Sequence, residues 1–130
     1  MPRVHVYVEP MKSIVVLGAS TNPDRYAFKA MQRLREHGHK AIPVNPAFTE
    51  VLGERCYPSI ADVPGPIDTV TLYLNAGRSA PLIQDILKAK PGRIIFNPGA
   101  ENEELAKTAL SAGIETVEGC TLVMLGAGTF

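Results

Sequence analysis

The segment Gly18-Ala19-Ser20-Thr21-Asn22-Pro23-Asp24-Arg25 gathers the residue types that hold a phosphate: a glycine that lets backbone come close, three short hydrogen-bonding side chains and a guanidinium. An apolar run, Ser13 to Leu17, precedes it and an amphipathic pattern follows, so the loop predicts a strand-turn-helix. The unpaired N–H groups and positive dipole end of the following helix suit an anion. A tight turn with Ser20, Thr21 or Asp24 capping the helix is the competing structural explanation. The spacing is not Gly-x-Gly-x-x-Gly, because Ser20 stands where the second glycine would be, and no Gly-Lys-Ser/Thr ending follows. Dinucleotide chemistry and ATP hydrolysis both lose support.

A dinucleotide site would also place an Asp or Glu at the end of the second strand to hold the ribose, whereas here that strand ends Val44-Asn45-Pro46. Other chemistry is sparse. The three histidines are His5, His37 and His39; two flank a helix-ending glycine, are expected to be exposed, and lack metal-ligand spacing. Ser20 has no second glycine to form a nucleophile elbow and no histidine near it. Glu103 and Glu104 are adjacent on a helix and point apart, and acids in a first turn already have a dipole explanation. Cys56 and Cys120 form no C-x-x-C motif and read as reduced structural thiols, with Cys120 near enough to a strand end to face a crevice. No catalytic constellation emerges, and the sequence leans towards a protein that holds a coenzyme without transforming it.

The elements that must position these residues alternate between short β-branched runs and longer helical patterns, the signature of βαβ units. The expected order is a strand at 13–17, a helix with apolar Ala27, Ala30, Met31 and Leu34 ending near His37, and a strand at 41–44 weakened by Pro43. Loops with a helical turn near 59–62 occupy 47–67, and a strand follows at 69–74. A helix capped by Ser79 comes next, then a strand at 93–96, a helix capped by Asn102, and a strand at 115–117. These predict one doubly wound, Rossmann-like α/β domain over 12–130 with about five parallel strands. Residues 1–11, with Val4, Val6 and Val8 alternating, read as a leader or an added edge strand. The apolar tail Leu122 to Phe130 shows no helical period and is expected to cover its own core or a neighbouring subunit, with a homodimer or partner-enzyme contact favoured.

Bulk properties bound the function. The chain has 130 residues, 13 basic and 13 acidic, so it lacks the basic footprint of a nucleic-acid binder. No apolar run reaches the roughly 20 residues of a membrane span and no signal-peptide core is present. A small-molecule ligand and a cytoplasmic location are the expectation.

Several motifs occur in an order that resembles the small CoA-binding domain proteins, akin to the N-terminal domain of the succinyl-CoA synthetase alpha subunit. They are Val15-Val16-Leu17-Gly18-Ala19-Ser20 with Asn22-Pro23 and Arg25, Pro43-Val44-Asn45-Pro46, Leu52-Gly53, Tyr57-Pro58-Ser59-Ile60-Ala61-Asp62-Val63-Pro64, and Asn97-Pro98-Gly99-Ala100 with Asn102-Glu103-Glu104. The resemblance runs from about Lys12 to Cys120. It implies coenzyme A across the strand ends, with its pyrophosphate at Gly18, Ala19, Ser20 and Thr21. Asn22 and Arg25 complete that end, and Asn45, Pro46, Leu74, Asn75, Asn97, Pro98 and Gly99 line the rest. Arg25 or Lys29 would face the 3′-phosphate, with Arg55 and Arg78 as looser candidates. The ligase's phosphorylated histidine belongs to a second domain that this stretch does not contain, so the ligase reaction is not implied. An NAD(P)-binding reductase-type protein and an interaction module that has lost its ligand are the alternatives.

Overall fold

In a computed structural model, residues 12–130 are described, and the expected leader or edge strand at 1–11 lies outside them. The core is a five-stranded, all-parallel sheet in the order β2-β1-β5-β6-β7. Its strands are β1 (Ser13–Leu17), β2 (Lys40–Val44), β5 (Thr69–Leu72), β6 (Arg93–Phe96) and β7 (Glu115–Glu118). Strand β1 lies inside the sheet, between β2 and β5, and reads as a continuous apolar run because both of its faces are covered. Ile14 and Val16 point into a core with Met31 and Leu34 of α1 (Tyr26–Glu36), and Val15 and Leu17 into a core with Ile83 and Ile86 of α3 (Ile83–Ala89) and Leu105 of α4 (Glu103–Ser111). Pro43 sits in β2, an edge strand of this sheet, where a missing ladder donor is tolerated.

Four sequence expectations are corrected. The 47–67 connection contains a two-stranded antiparallel ribbon, β3 (Glu50–Val51) and β4 (Glu54–Arg55), turning through Leu52 and Gly53 at positive φ, besides the expected turn at Ile60–Asp62. Two-residue strands are too short to generate a period. The helix expected from Ser79 starts earlier: Asn75 caps α2 (Ala76–Ser79), its Oδ1 accepting from Arg78 N at 2.9 Å. Pro81 lies in a 3-10 turn that separates α2 from α3, since proline has no N–H to continue the helical ladder. His39 is buried, its ring against Phe130 with centroids 5.3 Å apart. Finally, the tail is helical: α5 (Thr121–Ala127) buries Thr121 and Leu125 one turn apart and packs on α1. Two inward residues in seven are too few to reveal a period, and the tail covers its own core.

Buried polar groups lock the upper ends of the strands. Asn97, just past β6 and 2% exposed, donates through Nδ2 to Thr71 Oγ1 (2.7 Å) and to the Leu72 carbonyl (3.0 Å), and accepts from Thr121 N at 2.9 Å. Thr71 and Thr121 share a further hydroxyl hydrogen bond at 2.8 Å. One side chain thereby joins β5, β6 and the start of α5. The Tyr73 hydroxyl lies beside Thr71 and Thr121 but is buried without completing a hydrogen bond to either, and burial pushes its pKa up to about 12.

Asn97→Leu therefore removes a hydrogen-bond partner from the buried Leu72 carbonyl and Thr121 N–H and one of the two partners of the Thr71 hydroxyl, and is expected to lower unfolding free energy by about 3 kcal/mol; an unchanged urea midpoint would refute this role. Tyr73 gives a pH signature. The unfolded phenol loses its proton near 10 and the folded one near 12, so between those values the folded state binds more protons and stability falls as pH rises. The slope from this one group approaches about 1.4 kcal/mol per pH unit. Tyr73→Phe should lose that part of the alkaline decline without losing a hydrogen bond. Parallel stability curves for the two proteins between pH 9 and 11.5 would rule it out.

Candidate functional site

Strand order reverses on either side of β1, since the chain passes from β1 to β2 on one flank and returns to β5 on the other. The crevice outside the carboxyl ends of these strands is where such a fold binds ligands. Two adjoining cavities occupy it. One, of about 460 Å³, is polar and lies over Gly18, Ala19 and Ser20, with Arg25, Tyr26, Asn45, Phe48, Tyr73 and Arg78 around it. The other, of about 230 Å³, is mainly apolar and is walled by Leu17, Val44, Pro46, Pro58, Ile60 and Leu82. Gly18, Asn45, Leu74 and Arg78 border both.

Local hydrogen bonding decides which loop groups can meet a ligand. The N–H groups of Gly18 and Ala19 both donate to the Val44 carbonyl, at 3.0 and 3.3 Å. Asn45 reinforces this, donating from Nδ2 to the Ala19 carbonyl at 2.8 Å while its Oδ1 accepts from Ala47 N at 2.9 Å. Asn22 N donates to Ser20 Oγ, and Asp24 N to Asn22 Oδ1. Among the described residues nothing accepts from the N–H groups of Ser20, Thr21, Tyr26 and Ala27. These donors, at the end of the loop and the start of the 11-residue helix α1, are the ones open to an anion.

Gly18 has a role within the fold itself. Its φ is +93°, and a Cβ there would meet Leu74 Cδ2 at 2.9 Å, Leu74 Cγ at 3.0 Å and the Tyr73 carbonyl carbon at 3.2 Å. The close approach that requires glycine is to the end of β5, within the protein itself.

Of the residues singled out in the sequence, Gly18, Ala19, Ser20, Arg25, Asn45, Pro46, Leu74 and Pro98 line the two cavities. Thr21 and Asn22 are exposed on the loop away from the cavity walls, and Asn75 caps α2. Asn97 is inside the core, and Gly99 turns at φ +88° with its N–H donating to Glu101 Oε1. Of the basic candidates, Lys29 lies over the Tyr26 ring at 5.5 Å and Arg55 over the Tyr57 ring at 4.8 Å, and neither lines a cavity wall. Arg25 and Arg78 do. Tyr26, Phe48, Tyr73, Pro58 and Ile60 were not anticipated as wall residues; Tyr26 beside Arg25 had a signal in its position at the helix start, and the others reach the site only through tertiary packing. Burial raises the pKa of the Cys56 thiol, which points at the Asn45 carbonyl 3.5 Å away, and Cys120 is half-buried before α5. No cluster of metal-ligating side chains occurs among the described residues, nor a helix long and apolar enough to cross a membrane.

The chain is similar to proteins of known sequence and structure. It is 30% identical over 93 residues to the uncharacterized protein YneT of Bacillus subtilis, covering 72% of this chain and 69% of YneT. It is 32% identical over 68 residues to the ADP-forming acetate–CoA ligase of Methanocaldococcus jannaschii, covering 52% of this chain and only 10% of the ligase. A crystal structure of an uncharacterized protein superimposes with a TM-score of 0.89 at 48% identity, covering 94% of this chain and all of that one. The CoA binding domain family matches residues 12–126, from the start of β1 almost to the end of α5. With the Gly18 loop, the crevice and the parallel sheet falling inside that match, the chain belongs to the CoA binding domain family, and coenzyme A is its coenzyme.

Proposed function

We propose that this protein holds coenzyme A or an acyl-CoA non-covalently, as a binding or regulatory module without a reaction of its own. The observation that carries the reading is the pairing of a polar cavity, floored by free backbone N–H groups and flanked by Arg25 and Arg78, with an adjoining apolar cavity. Neither cavity has an Asp or Glu in its wall. A pyrophosphate over Ser20 and the start of α1 would meet donors and a favourable dipole, and the apolar cavity beside it has the size for a purine.

The polar side chains on the walls are Ser20, Asn45, Ser59, Tyr26, Tyr73 and the two arginines. None is a base at neutral pH, and Tyr73 holds its proton until about 12. This favours holding over transforming. The match to the acetate–CoA ligase covers 10% of that enzyme, so the inherited role extends to the coenzyme-holding portion and the ligase reaction is not part of the proposal.

Thermal denaturation with CoA, acetyl-CoA, NADP and ADP tests the reading. CoA at one hundred times its Kd should stabilise the fold by about 2.7 kcal/mol. If NADP raises the melting temperature and CoA leaves it unmoved, a reductase-type dinucleotide protein takes its place. If every nucleotide is silent, an interaction module that keeps only the fold is the better description.

A further inference from the structure

We infer that Arg78 is the residue that reads the 3′-phosphate of the coenzyme, and so separates coenzyme A from nucleotides that lack this group. The inference rests on the coenzyme-binding reading and adds the determinant of its selectivity. In coenzyme A the ribose joins the purine to the pyrophosphate and carries the extra phosphate on its 3′ oxygen. The ribose must therefore sit where a cavity for a base meets a cavity for a pyrophosphate. Here that junction is bordered by Gly18, Asn45, Leu74 and Arg78. Gly18 has no side chain, Leu74 is apolar, and both ends of the Asn45 amide are engaged by Ala19 and Ala47. Arg78 alone of the four carries charge.

Among the described residues no carboxylate forms an ion pair with that guanidinium. The ion pairs among the described residues are Arg33 with Glu36 and Lys107 with Glu103, both outside the crevice. Arg78 is anchored at its backbone, where its N–H donates to the Asn75 side chain, while its own side chain remains exposed. The other cations have other geometries. Arg25 precedes α1 and borders only the polar cavity, which aligns it with the pyrophosphate; Lys29 and Arg55 lie over tyrosine rings. A guanidinium can grip a phosphate through two parallel N–H donors. A free arginine at the ribose position therefore discriminates by charge.

Isothermal titration of wild type, Arg78→Gln and Arg25→Gln with CoA and with 3′-dephospho-CoA separates the possibilities. Wild type should bind CoA about tenfold or more tightly than dephospho-CoA. Arg78→Gln should erase most of that ratio by weakening CoA alone, and Arg25→Gln should weaken both ligands and preserve it. A wild-type ratio near one overturns the assignment while coenzyme binding stands. Equal weakening of both ligands by Arg78→Gln also overturns it and moves Arg78 to the pyrophosphate. If wild type binds neither ligand, the coenzyme reading fails first and the assignment fails with it.

Discussion

The Val44 carbonyl, at the end of an edge strand, accepts hydrogen bonds from both Gly18 and Ala19, and the form of the crevice follows from this. It bends the chain sharply as it leaves β1 and draws the loop towards β2. The opposite side of the loop then lies so near the end of β5 that a Cβ on Gly18 would touch Leu74 and the Tyr73 backbone. Asn45 adds a third tie, from its side chain to the Ala19 carbonyl. The loop is thus shaped by the protein before any ligand arrives, and the binding surface is left to the N–H groups that follow it. Such preorganisation lowers the ordering entropy that binding would otherwise have to offset.

A second constraint holds the far side. Asn97 places a buried amide where β5, β6 and α5 converge, with each of its hydrogen bonds directed inward. Buried polar groups are tolerable only when satisfied, and a satisfied network specifies one arrangement of the elements it joins. The two devices act together. The first sets the separation of β1, β2 and β5 at the crevice, and the second prevents β6 and α5 from shifting beneath it.

The alternation of apolar runs was enough to read the parallel sheet, because the central strands are buried on both faces and helix periods lie between them. The loop at Gly18 was legible for the same reason, since strand, glycine and helix are contiguous. What escaped the sequence depended on partners distant in the chain. Asn97 reads as a strand-end site residue until Thr71 and Thr121, 26 and 24 residues away, are brought to it. Asn75 likewise resembled a wall residue, yet its acceptor is used three residues on, in a helix cap that Ser79 had been expected to supply. The α5 helix was hidden by its shortness, with only Thr121 and Leu125 turned inward. Arg78 looked peripheral because nothing local marks it; its position at the junction exists only after β5 is laid beside β1.

Asn45 shows why selectivity must come from elsewhere in this crevice. In a dinucleotide-binding protein the end of the second strand offers a carboxylate to the ribose hydroxyls. Here that place is held by an amide whose oxygen accepts from Ala47 N and whose nitrogen donates to the Ala19 carbonyl. A carboxylate at 45 would have no proton to give Ala19 and would lose the tie to the loop, while placing negative charge where a phosphorylated ribose belongs. The amide therefore secures the loop and leaves the ribose position free of like charge. Recognition at that position passes to a cation, and the geometry of the junction leaves Arg78 as the residue that supplies it.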